Sequence, residues 1–413
     1  MRLLSLEIKR IIKTKITWVL LLCSFAFAVL MAYLPVTFEG AIITDPDGNE
    51  REISGLKAVQ YFQETDELFG EVTTEKLRQA VEAYQEVYEA YDSQYGNEVP
   101  AAVFYARLAK YRPFIRGIKE VFANPETGIA AGVRDLDIDR IEDYYEMLPK
   151  RLISIMDMEQ KNYPSAKEAA LRKFERVNIP YRYYYGASGN SMDYETLFIF
   201  LMTLFGVIIT ATVFSSDYQT KADDVLRCTK HGRLRIAGIK VLAAFLITGS
   251  SYLICGIVWI LVTNTLFGWE GTKTSMQLIF SVTSLVPFTI GQLQWVNLLG
   301  AFILFLATIS FTLFLSARAR DNVSALALGL TSALLPVIVY VSVPGALGDW
   351  LSCILPSGGI GLGNSILYSM YDFIFLHIGK TSFWNVDVLL LLGVIKIPVF
   401  IWGAVSSYCK KYA

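Results

Sequence analysis

Apolar residues in this chain gather into six runs, each about long enough to cross a bilayer. They are Ile16–Leu34, Thr196–Phe214, Ile236–Val262, Val296–Ser316, Val323–Val343 and Val386–Tyr408. A helix needs roughly 20 such residues to cross a hydrocarbon core about 30 Å thick. Backbone polar groups cannot stay unpaired in lipid, so each run is read as a helix. The first run lacks a small-residue cleavage site and is read as a retained span rather than a signal peptide. Met276–Ile290 is also apolar, but it is short and carries Pro287. It is expected to lie along the outer membrane surface.

The polar remainder is unevenly placed. Of 38 acidic residues, 28 lie between Val36 and Asp193, together with 19 basic residues and 14 of the 23 tyrosines. This block is read as a mainly helical, water-facing domain. Leu77, Val81, Tyr84, Tyr88, Tyr91 and Tyr95 step at helical spacing and are closed by Gly96. Ile138, Ile141, Tyr145, Leu148 and Leu152 form a second stripe, bent or interrupted at Pro149. Ser165 and Glu168 match a capping box opening a third helix. Asp45-Pro46-Asp47-Gly48 reads as a hairpin turn. Tyr181, Tyr183, Tyr184 and Tyr185 lead back to the membrane and are candidates for an outer ligand surface, with packed core as the other reading.

Charge then sets an orientation. The short segments 1–15, 215–240, 317–322 and 409–413 hold 15 Lys and Arg, whereas the short segments 263–295 and 344–385 hold 2. The basic side is expected to be cytoplasmic. Both termini then face the cytoplasm and 36–193 faces outside. The expected organisation is an interfacial helix over 1–15, a span over 16–35, an extracellular domain over 36–193, and five further spans over 194–413. Those five are interrupted by a cytoplasmic loop at 215–240 and an outer helical segment at 344–385. In that segment Ile360–Leu376 is expected to be helical, as part of a re-entrant or surface hairpin. The fold class is therefore an all-α polytopic membrane protein with six transmembrane helices and a domain inserted between spans 1 and 2. No cysteine falls in that domain. A disulfide-free outer domain suits a bacterial plasma membrane.

Within 1–14, Met1, Leu4, Ile8, Ile11 and Ile12 share one helical face and Arg2, Lys9, Arg10 and Lys13 another. That pattern suits a helix lying in the headgroup region, or one that extends the first span into water.

No catalytic constellation is present. The two histidines, His231 and His377, are too few and too far apart for a histidine metal cluster, and no Cys-x-x-Cys occurs. Gly379-Lys380-Thr381 ends like a phosphate-binding loop, but Ile374 stands where that motif needs glycine. No cofactor, metal or nucleic-acid partner is expected. Lys396 lies deep in the last span. It either lines a translocation path or is satisfied by snorkelling or by carbonyl groups.

This layout resembles the ATP-binding-cassette (ABC) type-2 exporter permeases, in the subgroup with a large extracellular domain between the first two spans. The local match is in the 215–240 loop: Phe214, Asp217, Leu226, Arg233 and Gly238-Ile239-Lys240, with Asp where the family usually has Glu and Thr220 where a Gly often stands. The resemblance implies a non-enzymatic permease subunit that dimerises, as a homo- or heterodimer, and docks a separate ATPase subunit. Asp217, Val225, Leu226 and Arg233 would carry that coupling, and Val225 and Leu226 form the loop's apolar tip. Peptide, lipid and ion cargoes all fit. The other reading is a membrane-anchored extracellular binding or sensor protein without transport.

Overall fold

The computed structural model describes residues 2–44, 49–227 and 233–410. The hairpin turn expected at 45–48 and the loop residues Cys228 and His231 lie outside these. The described chain is mostly helical, with few strands, and six of its helices are long and apolar enough to cross a membrane. They cover all six apolar runs.

Helix α1 (Arg2–Ile12) is amphipathic and buries Ile11. Thr14 separates it from α2 (Lys15–Tyr33), the first span, which ends in a 3-10 turn over Leu34–Phe38. The inserted domain opens with an antiparallel hairpin, β1 (Gly40–Thr44) and β2 (Glu50–Ser54), in register Gly40↔Ser54 to Thr44↔Glu50. Its helices are α3 (Leu56–Thr65), α4 (Thr74–Ala90), α5 (Arg112–Val121), α6 (Tyr144–Glu159) and α7 (Pro164–Phe174). Two short strands, β3 (Gly70–Glu71) and β4 (Arg182–Tyr183), pair across the domain's base.

Two local expectations need correction, and of the bend or interruption expected at Pro149 the interruption is excluded. The α4 stripe ends at Tyr88, because Asp92 takes a left-handed φ of 44° and turns the chain. Tyr91 and Tyr95 are consequently exposed. Helix α6 runs through Pro149 without interruption. Ser165 does not cap α7, which starts on Pro164, a residue whose missing N–H costs nothing at a helix start. The Ser165 hydroxyl instead bonds Lys380 O at 2.8 Å and Ser382 Oγ at 2.7 Å.

The bundle follows. The second span is α8 (Gly189–Thr220), ended by Lys221 at φ 57°. The short α9 (Ala222–Arg227) leads to the undescribed loop, and the third span is α10 (Leu234–Phe267). Residues 268–289 return without crossing and tuck under the domain, burying Met276, Leu278, Val282 and Val286. Tyr181 donates its hydroxyl to Val282 O at 2.5 Å across this seam. Gly186 is needed there: its φ is 102°, and a Cβ would come within 2.3 Å of Phe267 O.

The remaining spans are α11 (Ile290–Arg318), opened by a Thr289–Gln292 capping box, and α12 (Asn322–Ser342), capped by Asp321. Between α12 and the last span lie α13 (Ala346–Ile354), α14 (Ile366–Tyr371) and the hairpin β5 (Phe375–Ile378) with β6 (Thr381–Trp384). Only Ile366–Tyr371 of the expected Ile360–Leu376 helix forms, because Ser365 caps it at one end and the chain turns extended at Asp372. The last span is α15 (Asn385–Lys410). Helix α1, the short α9 and the end of α15 share one end of the bundle, where Tyr408 packs on Phe214. The inserted domain sits at the other end.

Candidate functional site

At the loop end, four charged side chains from three helices converge. Glu7 and Arg10 are one turn apart on α1 and bond at 2.7 Å. The Arg10 guanidinium also pairs with Asp217 on α8 at 2.8 Å and donates to Ser216 Oγ and to Val213 O. Lys240, in the second turn of α10, reaches Asp217 at 2.7 Å and Glu7 at 3.3 Å. Lys240 is 0% exposed. A buried ammonium demands compensation, and two carboxylates balance the two cations here. The cluster joins the amphipathic helix to the second and third spans.

The loop candidates sort around this cluster. Asp217 is its centre, contacted by both cations. Val225 on α9 is 70% exposed, whereas Leu226 is half-buried. Arg233 is exposed at the start of α10 and joins none of these bonds. Arg10 was read only as part of a basic helix face and Glu7 was not singled out, because Asp217 and Lys240 lie more than 200 residues away. The readable signal was an acid closing one apolar run and a lysine opening the next.

Lys396 occupies a second polar knot, at mid-depth. Its ammonium donates to Cys353 O and to Leu355 O, both at 2.6 Å. Those carbonyls belong to the last turn of α13 and the residue that caps it, where a helix leaves acceptors unpaired. The turn beyond α13 is pinned in the same way. Thr308 Oγ1 donates to Pro356 O at 3.3 Å, and Ser357 Oγ donates to Ser332 O and Ala333 O. Thr308 and Ser332 lie near the middles of α11 and α12, so this segment dips about halfway into the bundle. Lys396, 7% exposed, is a cap on that re-entrant helix.

A third buried carboxyl, Glu195 near the start of α8, was not singled out in the sequence because it immediately precedes an apolar run. It is 1% exposed and accepts from Asn297 Nδ2 at 3.1 Å. One turn nearer the domain, Asn264 and Gln294 exchange two amide bonds at 2.9 and 3.0 Å. On the other side Tyr252 donates to Leu298 O at 3.2 Å. These contacts form a polar seam through α8, α10 and α11.

The tyrosine run is divided: Tyr181 is sealed in the core, while Tyr184 lines one opening and Tyr183 and Tyr185 another. Tyr181 is 0% exposed and Tyr183 is buried against Phe114, so both are core residues. Strand β4 points them inward under the domain. Tyr184 and Tyr185 are half-buried, Tyr184 beside Lys273 and Tyr185 against Phe62. A different opening, of about 660 Å³, lies between the end of α6 and the start of α13, with Glu159, Asp349 and Asp372 in its walls. Burial and the Glu159 carboxylate push Asp372 up to about 6. His377 borders it, stacked on Tyr163 and bonded through both ring nitrogens, to Ser382 and Gln160. Among the described residues, no group of three or more His, Cys, Asp or Glu side chains is placed to hold a metal ion.

Two substitutions test these roles. Asp217→Asn leaves Lys240 and Arg10 sharing the single carboxylate of Glu7 and should destabilise the protein by about 3–5 kcal/mol, the usual cost of breaking a buried ion pair. Thermal unfolding of the purified protein in detergent would show it, and an unchanged midpoint would remove the cluster's structural role. Lys396→Met leaves Cys353 O without its donor at mid-depth, at about 1–3 kcal/mol, and takes one of two donors from Leu355 O, which the Gly358 amide still bonds at 3.1 Å. It should lower stability and expose the 353–358 turn to protease. A neutral or stabilised variant would mean that the lysine is not a cap.

Comparison with protein-family models, with curated proteins and with solved structures found no match to this chain.

Proposed function

We propose that this chain is the membrane-spanning permease subunit of an ABC exporter of the type-2 class, driven by a separate ATPase subunit. The observation that carries the reading is mechanical. Val225 stands exposed on α9, at the same end of the bundle as a buried charge cluster that binds α1, α8 and α10 together. An apolar tip on a charged loop suits a groove on a partner. A push on α9 would pass into two spans and the amphipathic helix at once, because Asp217 and Lys240 prevent them from sliding apart.

The 15-to-2 distribution of basic residues supports a cytoplasmic loop end and an outward-facing inserted domain. An ATPase would then meet α9 from the side where ATP is found. The large free faces of α12 and α15 suit a second permease subunit. The acidic opening at Glu159, Asp349 and Asp372 would face outside and attract cationic groups.

Two measurements bear on this reading. Val225→Asp should abolish co-purification of the ATPase while leaving the permease inserted at normal abundance. Undiminished co-purification and transport would defeat the docking role. If no ATPase associates with the unaltered chain either, the exporter reading fails and a membrane-anchored binding or sensor protein is the next to test. For orientation, a cysteine placed at the exposed Asn97 should react in intact cells with a membrane-impermeant thiol reagent, and Cys228 should not. The reverse labelling order would invert the topology.

A further inference from the structure

A cleft of about 430 Å³ opens at the loop end between α1, α2, α8 and α12. Ile11, Ile16, Ile208, Ile209, Val213 and Leu326 make its walls apolar. Arg10, Thr14, Ser216 and Asn322 stand at its polar end, but their groups are largely occupied. The Arg10 guanidinium is spent on Glu7, Asp217, Ser216 and Val213 O. Asn322 Oδ1 accepts from Ser215 Oγ at 2.7 Å. The nearby Asp321 carboxylate accepts from the amide and the hydroxyl of Ser324. A polar occupant would find little to bond inside the cleft, whereas a hydrocarbon chain would lose nothing by entering.

The uncommitted charges belong to residues outside the lining, next in the chain to its Thr14 and Ile16. Lys13 and Lys15 flank Thr14, are exposed, and have no ion-pair partner among the described residues. An apolar slot inside a membrane-crossing bundle, with two exposed lysines on the chain segment where α1 joins the first span and two of the slot's lining residues lie, suits a lipid. A second copy of the chain is a poorer occupant. Self-docking about a twofold axis would bring two lysine-bearing patches together, with no carboxylate among the cleft's lining residues to answer them.

We propose that this cleft binds an anionic phospholipid, one acyl chain lying along Ile16, Ile209, Val213 and Leu326 and the phosphate held by Lys13 and Lys15. The site is independent of ATPase docking, since Val225 takes no part in it. The attraction of a basic residue near an anionic surface implies that removing both ammonium groups weakens binding roughly thirty-fold.

The test is native mass spectrometry of the purified full chain, titrated with phosphatidylglycerol and with phosphatidylcholine of the same acyl chains. Phosphatidylglycerol should bind at the lower concentration. Lys13→Gln combined with Lys15→Gln should erase that preference, and Leu326→Trp, which fills the slot, should weaken both lipids. The proposal is overturned if the two lipids bind alike, or if the preference survives the double substitution. It is also overturned if Leu326→Trp turns a dimer into a monomer with lipid binding unchanged, since the cleft would then be an interface between copies.

Discussion

An apolar helix bundle offers no water to a polar group, so each charge or broken helix end inside it must be answered by another part of the same chain. Two knots of this protein follow from that constraint. Helix α13 ends halfway into the bundle; its Cys353 carbonyl would be stranded without the Lys396 ammonium, and Leu355 O would keep only the Gly358 amide. Lys240 is fully buried at the loop end and would be stranded without Asp217 and Glu7. In each case a long-range bond does the work that solvent does on a protein surface. Position therefore matters more than residue type: the same lysine on an exposed helix face would contribute little.

The two knots differ in a way that bears on motion. The loop-end cluster is four charges with no net charge, distributed over three helices. Moving one helix away leaves an uncompensated charge on the others, so the three are held as one unit. The Lys396 knot is a single cation on two neutral acceptors, supported by hydroxyls from Thr308 and Ser357. Its parts can separate at the cost of a few hydrogen bonds. The structure thus has a stiff end, where α1, α8 and α10 meet, and a re-entrant segment held by weaker contacts. Force applied at the stiff end would be expressed as displacement at the weaker one.

How much of this was legible along the chain depends on the range of the interactions. Six apolar runs of about span length declare themselves, because the bilayer sets one length for every span. The inserted domain declares itself by its acidity. The misreadings share one cause. Ser165 followed by Glu168 satisfies the local pattern of a cap, yet its hydroxyl is taken by a hairpin 215 residues away. Tyr181 looks like an interfacial aromatic, yet it is sealed by Val282 from a segment 101 residues further on. Lys396 announces itself as an anomaly in an apolar run, but only the fold shows which carbonyls its ammonium meets. Glu195 did not stand out, since it sits at the polar edge of its run and only Asn297 reveals how deeply it is buried.

The inserted domain and the bundle are joined by more than their covalent links, and this limits what the domain can be. Glu120 on α5 accepts from the backbone amide of Val282, Arg116 reaches Leu278 O, and Lys173 on α7 pairs with Asp387 at the start of the last span. Ser165 and Gln160 hold the β5–β6 hairpin and the strand leading to it. A freely tethered receptor module would keep such contacts few, because each one restricts its reach. Here they run from the third span's return segment to the hairpin that precedes the last span. The same α6–α7 connection that carries Gln160 also borders the acidic opening beside α13. A ligand entering there would press on the domain and on the re-entrant helix together. The domain is therefore better placed to move with the spans than to act apart from them.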